Sequence, residues 1–244
     1  MTRFSLAFAA VSSFALVVAC GGTEATTITV PDSGGNDSAT GNDSATGNDA
    51  ATGNDSGITF PDAGIGDPKI VDITFADKCP TAVPCGGAVV GTWDYEGACA
   101  EGVWDEAKKF CPTLGIKKQS GTVQGRIVFT ANTVSRAVSI TFAATLNLPQ
   151  ACLQGVLTCQ QVQTSLQKNF ATASCVAANG GCDCDVTSNV SGTSNGTPYS
   201  LAGNQIVVND GNKFDYCVKG TSMDYRWASG PNPERASFVL KKIN

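Results

Sequence analysis

Large apolar and polar side chains alternate along several stretches of the chain after residue 88. Residues 89–96 (VVGTWDYE) place Val89, Trp93 and Tyr95 on one face and mainly polar side chains on the other. Similar alternation recurs at 122–130, 134–146, 214–218, 223–227 and 238–240. A period of two predicts β-strands with one buried and one solvated face.

Turn-forming dipeptides separate the predicted strands. Asn-Gly and Asp-Gly favour tight hairpins, because both central residues of such turns take positive φ. Residues 103–110 and 149–170 interrupt the pattern with apolar residues at helical spacing, which predicts one or two inserted helices. We therefore expect a meander of eight or nine strands. Its predicted turns are Ala131-Asn132, Asn195-Gly196, Gly203-Asn204, Asp210-Gly211 and Gly220-Thr221.

A meander of this size that buries one face closes most economically into a barrel, because closure removes unpaired strand edges. We predict that residues 69–244 form a mainly all-β domain, an antiparallel up-and-down β-barrel with the helices inserted. A sandwich of two sheets is the alternative. About 170 residues suffice for one core and are too few for two ordinary domains.

Charge divides the chain into unlike parts. Residues 21–68 carry eight acidic and no basic side chains, and a unit GND(S/A)AT begins at Gly35, Gly41 and Gly47. The unit has no large apolar residue to offset its ordering entropy, so we expect 20–68 to be a disordered tether. Residues 69–244 hold 13 acidic and 15 basic residues without a basic block, which argues against nucleic-acid binding.

The N-terminus has the layout of an export signal. Arg3 precedes a run of apolar residues that ends at Cys20. The sequence VVAC (residues 17–20) resembles the lipobox of bacterial lipoproteins. That resemblance implies cleavage after residue 19, a signal peptide of residues 1–19 and a lipidated Cys20. Because Gly21 is not the Asp that retains many such proteins at the inner membrane, we expect anchoring at the outer membrane.

Ten cysteines remain once Cys20 is set aside. Behind an export signal they predict about five disulfides. Cys152 and Cys159 lie about 10 Å apart along a helix, too far to bridge each other, so we expect each to bond to a strand. We expect Cys85 to pair with Cys217, which a closed barrel brings close. The candidates are Cys79, Cys85, Cys99, Cys111, Cys152, Cys159, Cys175, Cys182, Cys184 and Cys217.

The first long strand opens with Gly91-Thr92-Trp93, which is similar to the G-x-W motif of lipocalins. The spacing from Cys85 through this motif to Cys99, with Tyr216-Cys217-Val218-x-Gly220 near the end, resembles lipocalin-like lipoproteins of Gram-negative bacteria. The resemblance implies a barrel whose Trp lies at the closed end under a late arginine, either Arg226 or Arg235.

No catalytic constellation is evident. The chain has no histidine, and its G-x-S-x-G match at 192–196 coincides with a predicted turn, so we expect no enzyme, cofactor or metal site. We expect a small apolar or amphipathic ligand inside the barrel, or else a filled barrel that contacts protein partners. Arg136, on the apolar side of its strand, favours an acidic ligand head. The candidate lining residues are Trp93, Tyr95, Phe129, Arg136, Phe142, Tyr216, Tyr225 and Trp227.

Overall fold

The computed structural model describes residues 66–153, 158–230 and 235–243. The predicted signal peptide, Cys20 and nearly all of the tether lie outside these residues. The domain is mainly β, as predicted, with ten strands rather than eight or nine. The strands are β1 (Val71–Ala76), β2 (Gly91–Glu101), β3 (Gly115–Phe129), β4 (Thr133–Leu148), β5 (Thr172–Ala178), β6 (Gly181–Ala202), β7 (Gln205–Val208), β8 (Lys213–Lys219), β9 (Ser222–Ser229) and β10 (Ala236–Lys242).

Eight of the described strands pair in a closed cycle, which we call the ring. β2 pairs with β3, β3 with β4, and β4 with β6; the ladders then run through β7, β8, β9 and β10 back to β2. Every ladder of the ring is antiparallel. β5 pairs with β6 outside this cycle. The predicted neighbour-to-neighbour meander therefore describes most of the sheet.

β1 departs from that prediction. It lies between β2 and β3, parallel to β2 with Ile73 opposite Ala98, and antiparallel to β3 with Val71 opposite Val123. β2 and β3 pair directly over 91–94 and 126–129, so β1 extends the sheet where these two strands separate. The expectation of a wholly antiparallel sheet is wrong here, because alternation of side chains does not encode strand direction.

Asn195-Gly196 is not a hairpin turn. Both residues lie within the 22-residue strand β6, opposite β4 at a shift in register between Val134 and Arg136. Gly196 has a φ of 61° and its N–H donates to the Ser135 hydroxyl over 3.0 Å. The positive φ that favours a tight turn here forms a bulge in a continuing strand. The other four predicted turns each connect two consecutive strands.

Apolar residues of the ring form one core, the ring core. Inward side chains from its strands meet there, and Trp93, Val123, Ile206, Met223 and Leu240 are fully buried. Alternation predicted the inward positions of β2, β3, β8, β9 and β10.

A second core, the helix-capped core, lies over the far ends of β4 and β6. Helices α1 (Asp105–Phe110) and α2 (Cys159–Leu166) and the 3-10 turn Gln150–Leu153 cover it. The predicted helix 149–170 is thus a short turn and a two-turn helix, with residues 154–157 outside the described chain. α2 begins at a capping box, in which Thr158 and Gln161 each satisfy a backbone N–H of the other. Among the described residues, no helix has the length and apolar character needed to span a membrane.

Candidate functional site: a groove beneath a disulfide-bound strap

The predicted ligand-lining residues belong to packed cores. Trp93, Tyr95, Phe129, Tyr216 and Tyr225 are buried in the ring core, and Trp227 packs against it half-buried. Phe142 lies in the helix-capped core instead, beside Phe75 and Trp104. Alternation correctly placed the side chains of all eight on the buried face. Three of them, Tyr216, Tyr225 and Trp227, also border the cavity described below, and the other five do not.

Inside the ring the aromatic side chains contact one another. The rings of Tyr95 and Phe238 meet edge to face at 5.1 Å, and those of Phe214 and Tyr225 stack at 4.7 Å. Arg136 is buried, as its place in the alternation predicted, and its Nε donates to the Tyr95 hydroxyl over 3.0 Å. The interior around Tyr95 is thus occupied by side chains.

Trp93 lies at one end of the ring core, where β2 begins and β10 ends. Its indole N–H donates to the Val89 carbonyl over 2.8 Å, so the polar atom of this fully buried side chain is satisfied. The ammonium of Lys242 lies over the indole at 5.5 Å from its centroid. The expectation that Arg226 or Arg235 covers Trp93 is therefore wrong, because both arginines make ion pairs elsewhere.

All ten candidate cysteines form disulfides. The expected Cys85–Cys217 bond is present, with Cα atoms 4.5 Å apart. Cys159 bonds to Cys182 of β6, as expected for a helix attached to a strand. Cys152 instead bonds to Cys111 at the end of α1, so that bond joins two helical segments. The remaining pairs are Cys79–Cys99 and Cys175–Cys184.

Two of these disulfides attach one loop to the outside of the ring. Cys79 bonds to Cys99 of β2 and Cys85 bonds to Cys217 of β8, while β10 and β9 lie between those strands in the sheet. Residues 80–84, which we call the strap, therefore cross the outward face of β10 and β9. Three interstrand spacings amount to about 14 Å, within reach of six residues.

Backbone hydrogen bonds fix the far end of the strap. The Tyr216 carbonyl accepts the N–H groups of Cys85 and Gly86, each over 3.1 Å, and Val218 donates to the Gly86 carbonyl. Gly86 and Gly87 have φ values of 72° and 112°, and a Cβ on Gly87 would lie 2.8 Å from the Val218 side chain. The glycines after Cys85 thus allow the loop to approach β8 closely.

A cavity of about 1110 Å³ lies between the strap and the sheet. We call it the groove. Its floor is formed by residues of four ring strands, which include the core residues Tyr216, Tyr225 and Phe238 beside outward-facing polar residues, and β1 contributes at one side. The groove is hard to predict from the sequence. Its polar positions have the pattern of any solvated sheet face, and the strap above them becomes evident when both of its disulfides are known. Its polar and charged lining includes Asp72, Thr74, Glu96, Glu101, Asp215, Lys219, Asp224, Arg226, Arg235 and Ser237.

Acidic groups outnumber basic groups in the groove. Arg226 donates to Glu101 over 2.7 Å, and the other Glu101 oxygen accepts the Cys79 N–H, so this pair also holds the near end of the strap. Arg235 pairs with Asp105 outside the lining. Among the described residues, no hydrogen bond or ion pair engages the side chains of Asp72, Glu96 or Asp224. Lys219 is the remaining basic group of the lining.

Burial also affects a tyrosine of the groove. Desolvation raises the pKa of the Tyr216 hydroxyl above its ordinary value, and the neutral hydroxyl donates to the Gly87 carbonyl over 3.3 Å. In the described residues, no three metal-ligating side chains lie where they would hold an ion together. The arrangement can therefore bind through charge, hydrogen bonds and apolar contact.

No protein-family model matches the chain, and neither a curated protein nor a solved structure is significantly similar to it.

Proposed function

We propose that this protein is an exported, lipid-anchored, non-catalytic binding protein that engages its partners through the outer surface of a rigid β-domain. The observation that carries the proposal is the position of the large cavity. Trp93, Tyr95 and Met223 are buried in the ring core, whereas the cavity lies between the strap and the sheet. Surface recognition accordingly fits the geometry better than enclosure of a ligand.

Two features support export and anchoring. The five disulfides suit an oxidising compartment, and VVAC at residues 17–20 has the composition of a lipoprotein cleavage site. The acidic tether would then hold the domain away from an outer membrane surface, with a root-mean-square reach of about 40 Å for 48 residues. Cys20→Ser should move the protein from the membrane to the soluble fraction, and unchanged fractionation would contradict the anchor.

The cycle of eight antiparallel strands supports the finer proposal of a closed, lipocalin-like barrel. The position of Trp93 at one end of the ring core agrees with that proposal. The cation that lies over its indole is Lys242, however, and not the arginine that the resemblance implied. The parallel strand β1 and the helix-capped core are additions to such a barrel.

A second candidate function follows from Arg136. A guanidinium inside the ring, bonded to the Tyr95 hydroxyl, favours an amphipathic ligand whose acidic head reaches this group. Such a ligand would require Tyr95 and its neighbours to move apart.

Native mass spectrometry of the oxidised protein, recovered from the periplasm as the Cys20→Ser chain, tests the two candidates. For a surface-binding domain we expect the mass of the bare chain with five disulfides. A reproducible small molecule that remains bound to wild type and is lost in Arg136→Met would instead favour the enclosed ligand.

A further inference from the structure

We propose that the groove binds an extended polypeptide segment rich in lysine and arginine, threaded between the strap and the sheet. This inference rests on the proposed surface-binding function and names the class of partner. Its basis is the charge of the lining, the charge of the chain's own tether, and the size and fixed shape of the groove.

The charge of the lining selects the sign of the partner. Glu101 and Arg226 neutralise each other, and Arg235 is paired with Asp105. Of the other groups, Asp72, Glu96, Asp215 and Asp224 are acidic, against Lys219. A concave site beneath a loop concentrates this field, because the low-dielectric walls reduce screening. A cationic segment is therefore attracted and an anionic one is repelled.

The chain's own tether is excluded by the same charge. It reaches the domain beside the groove, where the Arg126 guanidinium binds the Gly66 carbonyl over 3.0 Å and Gln124 binds the Pro68 carbonyl over 2.8 Å. β1 begins three residues later and contributes Asp72 to the groove. A segment so close would have a high effective concentration at the site. With eight acidic and no basic residues in 21–68, it is repelled instead.

Size and lining favour a polypeptide over a small amine. The groove, of about 1110 Å³, is lined by residues of five strands and of the strap, so a bound chain can contact it along several successive residues. The half-buried Trp227, which also packs against the ring core, and the exposed Val239 add apolar surface to the lining. Lysine and arginine suit this mixture because their methylene stems cover apolar surface while their charged ends reach carboxylates or an aromatic face.

The strap makes the groove a preformed site. Its two ends are covalently attached to β2 and β8, and backbone bonds to Tyr216 and Val218 fix one end further. Because the strap is already held in place, binding a partner costs less conformational entropy than it would for a flexible loop.

Titration calorimetry on the oxidised Cys20→Ser chain tests the proposal, with hexalysine as the probe and hexaglutamate and spermine as comparisons. We expect hexalysine to bind, with an affinity that falls as salt is added, and hexaglutamate to give no heat. Spermine, which carries charge without a backbone or separate side chains, should bind at least several-fold more weakly. Equal binding of spermine would overturn the assignment to a polypeptide.

Charge-matched variants locate the site. Glu96→Gln with Asp224→Asn should weaken hexalysine binding about tenfold, as expected from two partly screened charge contacts. Asp183→Asn with Asp185→Asn removes the same charge from β6, away from the groove, and should change the affinity less than twofold. Equal weakening by both pairs, or no hexalysine binding to wild type, would overturn this inference. Either outcome would leave the proposed surface-binding function intact, because that function is tested separately by the native mass spectrum.

Discussion

Strands β4 and β6 pass through both cores, and the two ends of these strands are covered in different ways. Along β4, Val134, Val138 and Ile140 face the ring core, where other strands of the cycle provide the opposing surface. Further along, Phe142 and Leu146 face the helix-capped core, where α1, α2 and a 3-10 turn provide it. The single alternating strand β4 therefore contributes side chains to two cores, one covered by strands and the other by helices.

Disulfides are distributed accordingly. The two bonds on the ring lie on its outside and attach the strap, whereas three bonds lie at the helix-capped core, where Cys182 and Cys184 are fully buried. The helices there have six and eight residues, too few to be stable alone. Interstrand hydrogen bonds and aromatic packing support the ring, and we expect the helices to depend on covalent attachment. The predictions below test this contrast.

The largest effect is expected at Trp93. Trp93→Ala removes the largest fully buried side chain of the ring core and its bond to Val89, and should lower the free energy of unfolding by about 3–5 kcal/mol. Urea denaturation measures this change. Hydrogen exchange should show faster exchange throughout the ring. Leu166→Ala, the matched variant in α2, should accelerate exchange in α2 and β5 alone; equal acceleration everywhere would show that the two cores form one unit.

Two disulfides of similar sequence separation provide the next test. Removing Cys159–Cys182 or Cys79–Cys99 opens loops of 23 and 20 residues, so the entropy of the unfolded chain predicts similar losses of about 3 kcal/mol. The first bond attaches α2 to the buried face of β6, and the second attaches the strap outside the ring. Cys159→Ala with Cys182→Ala should therefore cost more stability than Cys79→Ala with Cys99→Ala. Equal losses in urea would contradict the dependence of α2 on its disulfide.

The sequence predicted the parts of the fold that depend on alternation. Inward positions on β2, β3 and β4, the buried Arg136 and the Cys85–Cys217 bond follow from a period of two in a meander that closes. The pattern does not distinguish which core a residue enters, so Phe142 was grouped with the residues of the ring. Strand direction leaves no signal either: Val71, Ile73 and Phe75 of β1 alternate with smaller or polar residues as in the other strands, but this pattern does not indicate that β1 runs parallel to β2.

The groove depends on information that the sequence does not contain. Its outward residues are polar, as on any solvated sheet face, and its roof exists because Cys79 and Cys85 bond to strands that are not neighbours. Ten cysteines permit many pairings, so the strap becomes evident once the closed sheet fixes which sulfurs meet.

A moderate effect is expected at Gly125, a closely packed position inside the ring. A Cβ on Gly125 would lie 2.7 Å from the Tyr95 ring and 2.8 Å from the Ala137 carbonyl, so Gly125→Ala should destabilise the protein by about 1–3 kcal/mol. Gly97→Ala is the control, since its Cβ would meet the Val239 side chain at an ordinary 3.5 Å. Thermal unfolding of both variants measures the difference, and similar values would show that the ring accommodates the added methyl group.

The smallest effect is expected on the surface of the far ends of β3 and β6. The ammonium of Lys117 and the amide of Asn147 donate to Asp183 and hold the pKa of that carboxyl below its ordinary value. A lowered pKa in the folded state stabilises the protein above the ordinary pKa of aspartate, and this contribution is lost as the pH falls through the folded value. Lys117→Met should therefore raise the pKa of Asp183 and reduce stability slightly near pH 7, with the difference from wild type disappearing in acid.

Carbon-13 NMR titration of the Asp183 carboxyl measures the pKa shift directly, and Lys118→Met, one residue along the same strand, is the control. Because the side chains of Lys117 and Asp183 are both partly exposed, screening by salt should reduce the effect of Lys117→Met. A stability difference that persisted below the folded pKa would show that Lys117 acts through packing of its stem rather than through charge. The far ends of β3 and β6 would then be supported by side-chain contact, as the ring is, and the contrast between the two regions would rest on their disulfides.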